Sequence, residues 1–173
     1  MAYSSFAVEF LKWAPKDLAH AEAILKEHPK VIHSRSGLGE TLLHFLAVEN
    51  CPEAVRLLIR CGADVNTRNQ SGSTPLHEAA LLGYREVVQL LVENEADVDI
   101  KNKLGETPLN CAVRSSTPSR EVVQLLIQAD ADINADAGFG ETPLAVAIRS
   151  RKNDIAKLLK DAGARDPESI EPA

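Results

Sequence analysis

The chain reads as an all-α solenoid, a row of stacked helix–turn–helix units joined by hairpin-like fingers. Three observations carry this. A Gly-x-Thr-x-Leu block recurs, with its threonines at 41, 74, 107 and 142, so that the steps are 33, 33 and 35 residues. An apolar block follows each at a matched distance: Val55-Arg56-Leu57-Leu58, Val88-Gln89-Leu90-Leu91, Val123-Gln124-Leu125-Leu126 and Ala156-Lys157-Leu158-Leu159. A third block closes three of the units: Ala63-Asp64-Val65-Asn66, Ala96-Asp97-Val98-Asp99 and Ala131-Asp132-Ile133-Asn134. Self-similarity at such a period marks units that bury their apolar faces only against their neighbours.

Taken in order, residues 1–35 form a degenerate first unit. Phe6 to Trp13 and Asp17 to Lys26 read as two helices separated by Pro15, with Leu18, Ala21, Ile24 and Leu25 as the inward stripe. Val31-Ile32-His33-Ser34-Arg35 aligns with Asp64 to Arg68, and Glu9, Lys12, Lys16 and Glu27 supply the polarity of a terminal cap. Full units are expected at 36–68, 69–101 and 102–136, a capping unit at 137–166 and a tail at 167–173. Within a unit, Thr74-Pro75 or Thr107-Pro108 is an N-cap followed by the first helical position. The hydroxyl accepts from orphan N–H groups, and proline there forfeits no intrahelical bond. A helix over Leu76–Leu82 presents Leu76, Ala79 and Ala80 on one face, and Gly83 ends it. A second helix over Arg85–Asn94 carries Val87, Val88, Leu90 and Leu91 at helical spacing. The segments between units are rich in Asp, Asn, Ser and Gly, as turns require. The 35-residue step places two extra residues within Arg114 to Arg120, between the helices of the third full unit.

Gly72-Ser73-Thr74-Pro75-Leu76-His77-Glu78-Ala79-Ala80, with Val87-Val88-Gln89-Leu90-Leu91 and Ala96-Asp97-Val98, resembles the ankyrin repeat over about residues 36–166. The resemblance implies a curved array that binds proteins through its fingers and first-helix face. The departures are specific. Leu42 stands in place of proline, Asn110 and Ala145 in place of the motif histidine, and Arg165 where other units have aspartate. Asn110 is expected to replace part of the histidine network, and Ala145 none of it.

No catalytic constellation emerges. His44 and His77 lie in the repeat motif, His28 precedes Pro29 at a helix end as a surface residue, and His20 has no ligand spacing with Cys51 or Cys61. Neither a phosphate loop nor a nucleophile motif is present. The sequence therefore predicts a non-enzymatic protein, without metal or other cofactor. With 19 Lys and Arg against 25 Asp and Glu, the net charge is −6, which disfavours nucleic-acid binding. An odd number of cysteines without a CxxC pair points to free thiols and a cytoplasmic setting. No apolar run is long enough for a membrane span, and a monomer is expected.

The expected function is protein–protein interaction through the concave finger and first-helix surface; the alternative is a regulatory or targeting subunit of an enzyme or effector system. Candidate positions follow from the register. Preceding each finger glycine stand Leu38, Ser71, Leu104 and Phe139, either interface anchors or cover for the stack. Following it stand Glu40, Ser73, Glu106 and Glu141, whose carboxylates either line a groove that favours a basic partner or are plainly solvated. First-helix ends add Val48, Glu49, Leu81, Leu82 and Arg114, with burial or a hydrophobic spot open for the two leucines. Arg149-Ser150-Arg151-Lys152, with Lys157 and Lys160, reads as a polar cap or a basic patch.

Overall fold

The computed structural model describes residues 4–165, so the tail expected at 167–173 lies outside the described residues. An antiparallel helix pair opens the array: α1 (Ser5–Trp13) and α2 (Leu18–Glu27). Ser4 and Asp17 cap them, accepting from the backbone N–H of Ala7 and of His20. A 3-10 turn at Pro29–His33 follows, opened by proline and pinned by buried Val31 and Ile32. The sequence alignment of that block with a later unit did not anticipate it.

Four further pairs are α3 (Leu42–Val48) with α4 (Pro52–Arg60), α5 (Pro75–Leu82) with α6 (Arg85–Glu93), α7 (Pro108–Arg114) with α8 (Arg120–Gln128), and α9 (Pro143–Arg149) with α10 (Asn153–Asp161). Helices α3, α5, α7 and α9 pack side by side in one row, and α4, α6, α8 and α10 form a second row behind them. Leu76, Ala79 and Ala80 are fully buried between neighbouring helices, where alanine permits close approach. The second row buries Val55, Leu58, Val88, Leu91, Val123, Leu126, Ile155 and Leu159, so one core runs through the whole array. No described helix is long and apolar enough to cross a membrane.

Junctions between units are made by side chains at the start of each first helix. In α5, His77 Nδ1 accepts from the backbone N–H of Thr74 at 3.1 Å, and Nε2 donates to the carbonyl of Glu106 in the next finger at 3.1 Å. A carbonyl only accepts, so Nε2 carries the proton and the ring is neutral. His44 repeats the arrangement, reaching the Ser73 carbonyl at 3.0 Å. Burial holds both rings below the usual 6.5. Asn110 reproduces the same pattern with an amide. Its oxygen accepts from the Thr107 N–H at 3.0 Å, and its nitrogen donates to the carbonyls of Ala135 at 3.2 Å and Glu141 at 3.3 Å. Ala145 offers only its backbone N–H to Thr142, and no described unit follows that would need more.

A second set of junctions uses the turns. Asn66, Asp99 and Asn134 accept through a side-chain oxygen from the backbone N–H of Asp97, Asp132 and Arg165, at 2.8, 2.9 and 2.8 Å. Only the backbone of the second partner is used, which is why arginine is tolerated at 165.

Each finger is a tight turn rather than a strand, pinned by one side chain that accepts two backbone N–H groups. Asn69 holds Ser71 and Ser73, and Asn102 holds Leu104 and Glu106. The fourth finger differs from its expected register. The aligned residue is Ala137, which has no acceptor, and Asp136 serves instead by holding Gly138 and Gly140. The backbone still closes from the Ala137 N–H to the Glu141 carbonyl, as in the other fingers, and Phe139 takes a left-handed φ of 56° at its tip. Gly105 shows why glycine closes the third finger: at φ 78°, an added Cβ would lie 2.6 Å from the Ala137 carbonyl oxygen.

Candidate functional site

The fingers and the first-helix row enclose the face expected to meet a partner. Leu38, Leu104 and Phe139 stand out at finger tips; Leu104 is 70% exposed and Phe139 fully so. Ser71 is exposed among them. These side chains project outward rather than covering the stack.

The row of carboxylates takes a different form from the one expected. Glu106 is buried, with its side chain only 10% exposed, and Arg114 reaches back along α7 to it, Nε to Oε1 at 2.6 Å. The Asn102 amide also donates to Glu106, at 3.0 Å. Glu106 is therefore a neutralised internal group and not an accessible lure for a basic partner. Ser73 is buried as well, within its own turn. Glu141 is more open, but Arg149 donates to both of its oxygens, which holds its carboxyl below the usual range. A glutamate after the finger glycine and an arginine eight residues on thus pair across one helix in each of the last two units.

The first two units lack that arginine, because Val48 and Leu81 occupy the position. Glu40 takes a hydrogen bond from the Ser36 hydroxyl instead, at 2.9 Å. Glu78 on α5 is half-buried, and its carboxyl is pushed above the usual range by burial and then by the charge of Glu40, against a hydrogen bond from Asn69. Two carboxylates therefore share the first half of the face. Beside them lies an apolar group: Phe45, Val48 and Leu82 are 37%, 41% and 40% exposed, with Leu81 half-buried. Of the two leucines, Leu82 is the more open. Glu49 is exposed at the end of α3.

Phe45 and Glu78 were not singled out from the sequence. They occupy one register position, three residues after their own unit's N-cap-plus-one, and the same position is buried as Cys111 and Val146 in later units. The available signal was a change from aromatic to acidic to small residues at a fixed phase. Burial pushes the Cys111 thiol up to about 12, with the Glu106 charge adding to it. That thiol is protonated and unreactive at neutral pH.

The basic end is partly spent on structure. Lys152 donates to the carbonyls of Val113 and Ser115 at 2.7 and 2.6 Å, so it caps α7, and Arg149 is held by Glu141. Among the described residues, no group of histidine, cysteine or acidic side chains is placed to hold a metal ion.

A family model described as ankyrin repeats (3 copies) matches residues 7–102 and again residues 94–169. No curated protein matches the chain.

Proposed function

This chain belongs to the ankyrin-repeat family, whose repeats generally serve protein–protein interaction, and on that premise we propose that it binds a partner through the first half of its concave face. One observation carries the choice of surface. Phe45, Val48 and Leu82 are exposed together on the neighbouring helices α3 and α5, with Leu81 beside them and Glu40, Glu49 and Glu78 around them. An apolar centre with a charged rim is the composition of a protein interface. The second half of the face presents its charges as closed ion pairs, Glu106 with Arg114 and Glu141 with Arg149. A partner with an apolar patch rimmed by lysine or arginine complements the first half. Leu38, Leu104 and Phe139 extend the contact along the finger tips. The unpaired cysteines Cys51, Cys61 and Cys111 accord with a cytoplasmic setting for this role.

Affinity capture with the native chain, run beside Phe45→Ser/Leu82→Ser and beside Glu40→Lys/Glu78→Lys, tests the reading. The first variant is expected to lose the captured partner. The second is expected to slow association at low salt and much less at high salt. A partner retained at native affinity by both variants overturns this choice of surface.

A further inference from the structure

The structure assigns a phosphorylation site to Thr117, in the enlarged loop between α7 and α8. Four threonines in the chain are followed by proline: Thr74, Thr107, Thr117 and Thr142. Three of these are the N-caps of first helices. All three are buried, at 1%, 1% and 6% exposure, and each hydroxyl is engaged within its own first turn. A kinase reaches none of them without unfolding a helix start.

Thr117 is the exception on each count. It lies in the five-residue segment 115–119, where the corresponding connection between α5 and α6 is only Gly83-Tyr84. Thr117 and Ser116 are exposed. The Thr117 backbone N–H is satisfied locally by the Ser115 hydroxyl at 3.3 Å, while its own hydroxyl has no hydrogen-bond partner among the described residues. Of the other hydroxyls in the segment, Ser119 caps α8 by accepting from Val122, Ser115 is buried, and the exposed Ser116 is not followed by proline.

The loop is irregular, bent over residues 115–117 and without helix until α8 begins. On its C-terminal side Ser119 is extended, with φ −82° and ψ 117°. Pro118 fixes its own φ and biases Thr117 away from helix. A kinase that selects proline after the acceptor residue therefore finds a Thr-Pro step outside the helices, with its threonine exposed.

In the reaction, the Thr117 hydroxyl oxygen attacks the γ-phosphorus of ATP. The bond from that phosphorus to the β–γ bridging oxygen breaks, ADP leaves, and the hydroxyl proton passes to the base of the kinase. The product carries about −1.5 to −2 charge at neutral pH. It lies between Arg114 and Arg120 in sequence, whose guanidinium groups are engaged by Glu106 and by the Asp154 carbonyl.

The purified full chain is incubated with a proline-directed serine/threonine kinase and magnesium ATP, and the phosphate is located by peptide mapping. One phosphate on Thr117 is expected, with none on Thr117→Ala. Pro118→Ala, which keeps the hydroxyl, is expected to lose most of the incorporation. Thermal melts of both variants check that the fold is intact. Comparable labelling of Thr74, Thr107 or Thr142 in the folded chain overturns the assignment. So does an unlabelled folded chain, whether or not a free peptide spanning 112–122 is labelled.

Discussion

The guanidinium of Arg114 lies back along α7 and meets Glu106 at 2.6 Å, joining the last residue of a helix to the finger that precedes it. Arg114 is half exposed, while the Glu106 side chain is 10% exposed. Removing the arginine leaves a largely desolvated carboxylate with the Asn102 amide as its remaining strong donor. Arg114→Ala is expected to destabilise the chain by about 1–3 kcal/mol in denaturant unfolding. Adding Glu106→Gln to it should recover part of that loss, and a double-mutant cycle reads the coupling. Arg149→Ala breaks the corresponding exposed pair with Glu141 and is expected to leave the unfolding midpoint unchanged.

His77 and Asn110 perform one task with different chemistry, and their exchange separates geometry from titration. His77→Ala empties a buried site and strips the Glu106 carbonyl of its donor, at a cost of about 2–4 kcal/mol. His77→Asn copies the third unit and is expected to cost about 1.5 kcal/mol or less. The acid response follows from the neutral ring. Below 6.5 the unfolded chain takes up a proton that the folded chain refuses, because burial lowers the folded value. Protons then favour unfolding, so stability is full at neutral pH and falls as the pH drops through 6.5 toward the lowered value. The Asn variant should show a shallower decline, measured as unfolding midpoint against pH.

Gly105 and Gly140 share a φ of 78° but differ in surroundings. At Gly140 an added Cβ meets nothing within 4 Å, whereas at Gly105 it meets the Ala137 carbonyl oxygen at 2.6 Å. Gly140→Ala is expected to cost about 1–2 kcal/mol, the left-handed penalty alone. Gly105→Ala adds a backbone clash and should cost a further 1–3 kcal/mol or so. Equal losses in the two melts would contradict the packing of the third finger against the fourth.

Deleting Ser116 and Thr117 returns the α7–α8 connection toward the length found elsewhere. Both residues are exposed, and neither contributes to the core. A single cooperative transition is expected, shifted by no more than about 4 °C. A broadened or split transition would show that the loop carries the junction between units.

Much of the fold was legible because the repeat states each rule several times. Thr74-Pro75 and Thr107-Pro108 declare helix starts, and Leu76, Ala79 and Ala80 fall on one face. The helices observed at Pro75–Leu82 and Arg85–Glu93 lie within a residue of those read from the sequence. The face was less legible. A pair eight residues apart, such as Glu106 with Arg114, spans more than two helical turns, beyond the i,i+4 spacing from which helix ion pairs are read. The shift from Ala137 to Asp136 escaped for another reason: the alignment preserved total length, while the turn selected whichever residue supplied an acceptor. The burial of Leu81 and Leu82 depends on how the next unit leans, which no local pattern contains.

The contacts in which Asn66, Asp99 and Asn134 each grip a backbone N–H of the following unit bear on how such a chain changes length. Each grip reads the main chain of its neighbour and ignores the side chain, as Arg165 demonstrates. A copy of residues 69–101 spliced in after itself would meet the same acceptor on one side and offer the same acceptor on the other. The junction is indifferent to how many copies precede it, so the size of the array is left open to gene duplication while its pitch is held constant.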